Sequence, residues 1–339
     1  MAGQVTLSDV AREAGVSLAT ASRALNGSAN RTVGAELRER VQAAALRLRY
    51  SPDGIAQAMA RGRTTSLGLV VPDIADPYFA AIAAGVAEAA DEAGLTVTLA
   101  STRQDPYREV EIVGLMVRQR ARAVVLAGAG RGDDASEAAL RAALDSFRAV
   151  GGSVSVIGRA ARGTDTVVIG DREGAAELVR ALHRRGYRRF AVLGGPERHT
   201  AAADRRAGFL AAAAELGCAA PQQVPGDLTR DGGHAAMTRL LGARGDVEVV
   251  LAANDVVAVG ALAAARDAGV SVPGDLAVAG FDGVDVLRDV TPGLTTVRLP
   301  LVEIGAAAVR LVLQPPSAEP VLVPVSGEVV LRESTPALT

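Results

Sequence analysis

The chain has 339 residues, a formal net charge of −2 and 49% hydrophobic residues, which suits a small domain plus two medium ones with substantial cores. Its one cysteine, Cys218, excludes an internal disulfide, and every one of the 36 Lys-or-Arg positions is Arg, which excludes a lysine-dependent phosphate loop and Schiff-base catalysis. No apolar run reaches transmembrane length, and the opening MAGQVTLSDV carries no basic segment followed by an apolar stretch; both point to a cytoplasmic protein with no membrane partner.

The first elements lie in VTLSDVAREAGVSLATASRALN, residues 5–26. The pattern predicts two short helices joined by a tight turn. Thr6 caps the first helix with Asp9 three residues on, and Ser17 caps the second. Gly15 sits in the turn, where a left-handed backbone costs glycine least. Leu7, Val10, Ala11, Val16, Ala21 and Leu25 form a small core. Leu18, Ala19, Ser22 and Arg23 then face outward. This is the outline of a helix-turn-helix, whose second helix enters the major groove and reads base edges near its N-terminus. Leu18 and Ala19 suit thymine methyl groups; Ser22 and Arg23 suit phosphates or a guanine edge. A plain helical hairpin with a solvated face shares the outline.

The segment GVSLATASRALN resembles the recognition segment of the LacI/GalR family of bacterial repressors, and the likeness continues over almost the whole chain. The resemblance implies DNA contacts at Thr6, Ser17, Leu18, Ala19, Thr20, Ser22, Arg23, Asn26, Tyr50, Ala56, Gln57 and Met59, with Leu18 and Ala19 setting operator choice. It implies a fold with an all-α helix-turn-helix head and a hinge helix, joined to a two-lobed α/β domain of the periplasmic-binding-protein type with parallel sheets. It also implies a homodimer on double-stranded operator DNA, controlled by a small-molecule effector, a sugar or sugar derivative.

A third helix is predicted over about 35–48, with Leu37, Val41, Ala44, Ala45 and Leu48 on one face. Gly34 and Leu37 depart from the residues usual in the family there, so backbone contacts made by relatives are in doubt. The head is expected over 1–50 and a hinge helix and linker over 51–63. In YSPDGIAQAMARGR, Ser51 caps and Pro52 suits a first helical position. A helix of about two turns containing Gly54 is marginal alone. By the resemblance it orders when two subunits meet on DNA, with Met59 as an apolar wedge that kinks the minor groove. Residues 1–63 hold nine Arg against five acidic residues, a basic head on an acidic body.

From residue 64 short apolar runs alternate with Ala-rich helical stretches. Strands are predicted at 67–71, 95–99, 123–127, 154–157, 167–169, 190–193, 247–252 and 276–280, the pattern of parallel sheets covered on both faces. Gly-containing breaks near 158–165 and 291–295 separate two lobes. The first is expected to comprise 64–162 plus about 296–324, the second 163–295 plus about 325–332, with a tail at 333–339.

Ligands of open parallel sheets gather beyond the carboxyl ends of strands. Polar or aromatic residues fall there repeatedly: Tyr78 and Phe79; Asp171; His199 and Arg205; Asn254; Phe281 and Asp282. Arg donates in a planar fork, Asn donates and accepts, and Asp accepts from paired hydroxyls, so Arg205, Asn254 and Asp282 form a polyol-binding set. Tyr78, Phe79 and Phe281 are the stacking candidates. Many sugar-responsive relatives carry an Asp where this chain has Gly158, between Ile157 and Arg159, which leaves the effector open to an anionic or smaller ligand.

Two rival readings are weaker. GAGRG at 128–132 lacks the last glycine of a dinucleotide turn, GGSVS at 151–155 is not a nucleophile elbow, and His183, His199 and His234 lack metal-ligand spacing. No catalytic residue, cofactor or metal is therefore expected. A transport-associated sugar-binding protein would account for residues 65–331 and leave the first 62 unexplained.

Overall fold

The computed structural model describes residues 5–26, 33–50, 63–128, 133–160, 163–196, 198–243 and 245–338. Ala56, Gln57, Met59 and the predicted hinge helix lie outside the described residues, as does the side chain of Asn26. The chain divides into two compact units at residue 64, a head and a body.

In the head, α1 (Leu7–Glu13) begins at a capping box: Thr6 Oγ1 accepts from the Asp9 amide while Asp9 Oδ2 accepts from the Thr6 amide at 2.9 Å. Each bond satisfies a backbone donor that the first turn leaves unpaired. Gly15, at φ +64°, turns the chain, and the Arg40 guanidinium donates to the Ala14 carbonyl at 2.7 Å, tying the turn to the third helix. In α2 (Leu18–Asn26) Ser17 Oγ accepts from the Thr20 amide at 3.1 Å. α3 (Ala35–Arg47) starts at Gly34 with no side-chain cap. Val10, Ala11, Ala14, Ala21, Ala24, Val41, Ala44 and Ala45 close the core, with Leu7, Val16, Leu25, Leu48 and Tyr50 packed on it. Leu37, expected on the buried face, is 37% exposed. It lies in the first turn of α3, one turn short of Val41, where the inward face begins.

The body starts with β1 (Ser66–Val71), α4 (Pro77–Glu92), β2 (Thr96–Ser101), α5 (Pro106–Arg118), β3 (Ala123–Ala127), α6 (Asp134–Ala149), β4 (Ser153–Gly158) and β5 (Asp165–Ile169). All five residues of β3 are buried, as a strand covered on both faces requires. There follow α7 (Asp171–Arg184), β6 (Phe190–Gly194), α8 (Thr200–Glu215), β7 (Gln222–Pro225), α9 (Arg230–Gly242), β8 (Val249–Ala252), α10 (Asp255–Asp267) and β9 (Ala277–Ala279). The chain ends with β10 (Thr296–Arg298), α11 (Leu301–Leu313), β11 (Leu322–Val325) and β12 (Glu328–Val330).

The first sheet has the order β11-β5-β4-β3-β1-β2 and the second β7-β6-β8-β9, with parallel pairing throughout both. Parallel bridges from Ala279 to Thr295 and from Asp282 to Arg298 set β10 beside β9, and β12 pairs antiparallel with β10.

The expected lobe boundaries move accordingly. Residues 165–169, assigned to the second lobe, pair with β4 in the first sheet; the break at Gly158 and Gly163 only returns the chain to run again beside β4. The crossing falls at 170. Residues 296–298, assigned to the first lobe, pair with β12 in the second. The tail is not separate, because Ser334 and Thr335 are fully buried and Ser334 Oγ donates to the Val278 carbonyl at 2.6 Å. α11 and β11 return to the first lobe and β12 ends in the second, in the expected order. α11 lies so close to α4 that a Cβ on Gly85 would meet the Val302 carbonyl oxygen at 1.9 Å.

Candidate functional site

Two places collect the candidate residues. On the head, the start of α2 is its outward edge: Ser17, Leu18 and Ala19 are exposed, Leu18 to 50%. Ser17 Oγ lies 2.8 Å from Thr20 Oγ1, so the two hydroxyls form one polar pair beside Leu18. Ser22 is half-buried, and Arg23 folds back to donate through Nε to the Ala19 carbonyl at 2.9 Å. The Thr6 hydroxyl is engaged with Asp9 at 2.7 Å. Tyr50 packs on the head core and its amide donates to the Ala45 carbonyl.

In the body a cavity of about 400 Å³ opens beyond the carboxyl ends of both sheets, within the small-molecule range. The first lobe contributes Asp76, Tyr78, Phe79, Gln104, Ile157, Gly158 and Arg159; the second contributes Asp171, His199, Asp204, Arg205, Asp227, Arg230, Asn254 and Asp282.

At its floor Arg205 projects from α8 and is almost sealed from water. Its Nε donates to Asp171 Oδ1 at 2.7 Å and its Nη1 to the Ala253 carbonyl at 2.8 Å. Nη2 lies 2.8 Å from Asp282 Oδ1, yet Oδ1 has no aligned hydrogen-bond donor and no exposed surface. The guanidinium carbon stands 3.9 Å from the centroid of the Phe281 ring, a cation–π contact that fixes its plane. Burial works against the charge on Arg205, but the Asp282 and Asp171 carboxylates outweigh it and its pKa lies above the ordinary arginine value. Burial pushes the pKa of both carboxylates up while Arg205 pulls it down, and each stays above the usual range. One cation thus serves two buried carboxylates, which leaves acceptor capacity for ligand hydroxyls.

Asn254 caps α10, accepting through Oδ1 from the Val257 amide at 2.8 Å, while its residue lines the cavity. His199 caps α8, its Nδ1 accepting from the Ala202 amide at 3.3 Å. Tyr78 is half-buried and meets Phe79 edge-on at 4.9 Å between centroids; it offers a ring and a hydroxyl to a bound molecule. Phe79 also lines the cavity, but most of its surface belongs to the core. Phe281, expected to stack on the ligand, is corrected: it is completely buried beneath Arg205 and does not line the cavity. It reaches the cavity only through the guanidinium above it.

At Gly158, where φ is +134°, β4 ends and the next residue reaches across. Arg159 Nη2 pairs with Asp204 on α8 at 2.9 Å, joining the end of β4 to the other lobe. Asp227 and Arg230 were missed because they follow β7, a strand too short and polar for its apolar pattern to show. Among the described residues, no group of three or more His, Cys, Asp or Glu could hold a metal, and no helix is long and apolar enough to cross a membrane.

Comparison with known proteins places these features in context. Residues 6–53 match the model for bacterial regulatory proteins of the lacI family, and 179–335 that for the periplasmic binding protein-like domain. The chain is 35% identical over 314 residues to the HTH-type transcriptional regulator GalS of Salmonella typhimurium, covering 91% of this chain and 89% of that protein. It is 35% identical over 312 residues to GalR of Escherichia coli (91% and 88%) and 31% over 311 to the repressor PurR of Klebsiella pneumoniae (91% and 89%). Among solved structures, the lac repressor dimer bound to operator and the anti-inducer ONPF aligns over 99% of this chain and 100% of its own, with a TM-score of 0.86 at 26% identity. The CelR–cellobiose complex aligns over 97% and 99%, with a TM-score of 0.72 at 30% identity.

Proposed function

The chain belongs to the LacI family of bacterial regulatory proteins, and from that premise we propose that it is a homodimeric repressor released from its operator by a sugar or sugar derivative bound between the lobes of the body. It is a DNA-binding transcriptional regulator with a helix-turn-helix head and an effector-type body. In the proposed mechanism the exposed start of α2 enters the major groove, Leu18 and Ala19 read thymine methyl groups, and Ser17, Thr20, Ser22 and Arg23 contact phosphates or base edges. Asn26, Tyr50, Ala56 and Gln57 add further DNA contacts, and Met59 acts as an apolar wedge in the minor groove. Two-fold protein symmetry asks for a near-palindromic operator. The protein acts where the chromosome is, in the cytoplasm.

The observation that carries the effector reading is the buried set of Arg205, Asp171, Asp282 and Asn254 at the floor of a cavity lined by both lobes. A planar donor fork between two carboxylates matches adjacent hydroxyls, which both donate and accept. A ligand touching both lobes favours the lobe arrangement it binds better, by its differential affinity and no more. The likeness to a transcriptional regulator in complex with cellobiose is in keeping with a small polar metabolite.

The test is a thermal-shift screen of sugars and sugar derivatives on the purified full-length chain, followed by operator release with any that bind. Binding that is lost in Arg205→Ala and Asp282→Ala supports the reading. Binding that survives in both removes this cavity as the effector site.

A further inference from the structure

A buried carboxylate outside the cavity lining bonds to the backbone just after Asp282, which lines the cavity. Asp255, the first residue of α10, is 1% exposed and does not line the cavity. Its Oδ2 accepts from the amides of Gly283 at 2.8 Å and Val284 at 3.0 Å, and its Oδ1 accepts from the Thr296 hydroxyl at 2.6 Å. Its own amide donates to the Phe281 carbonyl at 2.7 Å. Gly280 makes room for this cluster, since a Cβ there would meet Asp255 Oδ1 at 2.3 Å.

Between these anchors Asp282 adopts φ +110°, a conformation costly to any residue with a side chain and kept only where the surroundings over-determine it. From one side, the Asp282 amide donates to the Val297 carbonyl at 2.9 Å and its carbonyl accepts from the Leu299 amide at 3.0 Å. From the other, Asp255 grips the next two amides. The same carboxylate thus joins the loop that carries an effector contact to β10, which leads through Leu299 and Pro300 into α11 of the other lobe.

We propose that Asp255 is a positioning residue: it holds the 282–284 loop so that Asp282 faces Arg205 and the cavity, and through Thr296 it ties that loop to the strand that crosses between lobes. The inference rests on the reading of the cavity as the effector site and adds a residue that never touches the ligand.

Two arms test it on the full-length chain. In the ligand-free arm, amide hydrogen exchange is followed in wild type, Asp255→Ala and Asp255→Asn. The alanine variant should exchange at least tenfold faster at 283–284 and at 296–299. The asparagine variant should stay near wild type, because one amide oxygen still takes both N–H groups and the Thr296 hydroxyl can turn to accept. Unchanged exchange at 283–284 in the alanine variant overturns the proposal.

In the binding arm, D-galactose, D-ribose and cellobiose are titrated calorimetrically. For whichever binds wild type, Asp255→Ala should weaken binding at least tenfold and Asp255→Asn by less than threefold. In an Asp282→Asn background, which keeps an acceptor and a measurable affinity, Asp255→Ala should weaken binding by less than it does in wild type, since a residue acting through another is non-additive with it. Full multiplication of the two effects, or alanine-variant binding within threefold of wild type, overturns the proposal. If wild type binds none of the three, the cavity reading fails for these sugars while the exchange arm still decides the role of Asp255.

Discussion

A guanidinium sealed from water is stable only when its charge is met, and Arg205 is met by two carboxylates, a carbonyl and an aromatic ring. Removing it strands both Asp171 and Asp282 in low dielectric, and breaking a buried pair in this way costs about 3–5 kcal/mol. Arg205→Ala should therefore lower stability by that order in denaturant titration, abolish the effector response and leave operator binding intact. Arg205→Lys should not restore the response, because a point charge cannot serve Asp171, Ala253 and Asp282 together.

Asp255 gives a separate prediction. Burial raises its pKa to about 6, against the pull of Thr296, Val284, Gly283 and Arg205. The folded chain then binds a proton between the unfolded value near 3.8 and about 6 that the unfolded chain does not. The resulting stability is fully present below the unfolded pKa and lost as pH rises through the folded one. Wild type should thus gain stability relative to Asp255→Asn, on the order of 2 kcal/mol, as pH falls from 7 towards 4.5. Parallel melting curves for the two proteins across that range would contradict it.

Of the residues that line the cavity, Arg205, Asn254 and Asp282 were legible because each follows a plainly apolar strand, whereas the role of Asp255 was hidden. A carboxylate at the start of a helix looks like an ordinary favourable end charge, and nothing in the chain near it announces Thr296 forty-one residues later.

At the scale of elements, α2 and the helix pair of the first lobe make distinct demands. The exposed Leu18 and Ala19 should set operator preference, so substitution at either should change discrimination by ~1–3 kcal/mol per affected base pair. Competition binding against a panel of single-base operator variants measures this, and an unchanged profile contradicts direct reading there. The α4–α11 pair is pinched at glycines: a Cβ on Gly85 would strike the Val302 carbonyl, and one on Gly305 would come within 2.2 Å of the Ile82 carbonyl. Backbone cannot yield as a flexible side chain can, so Gly85→Ala should cost ~1–3 kcal/mol or more by overpacking, read as a lowered denaturation midpoint.

The same elements show what patterning could and could not reveal. β3 was visible because all five of its residues are apolar and buried. β7, with the sequence QQVP, was not, because a short edge strand buries little and keeps polar residues. The lobe crossing was misplaced because Gly158 and Gly163 mark a break in the chain and say nothing of which sheet it rejoins. Hydrogen-bond partners, which no linear pattern contains, place residues 165–169 beside β4.

For the whole molecule, a basic head and an acidic body divide the work between nucleic acid and metabolite. Deleting residues 1–62 should abolish DNA binding and leave ligand-induced thermal shifts of the body unchanged. The measurement that bears most directly on the account is equilibrium binding of the intact chain to a genomic fragment library and to random duplex, at fixed salt, with and without a sugar that stabilises the body. The predicted result is at least ~10³-fold tighter binding to a near-palindromic fragment and loss of that preference when the sugar is added. Equal affinity for all duplexes, or a preference that no cavity-binding molecule alters, would contradict it.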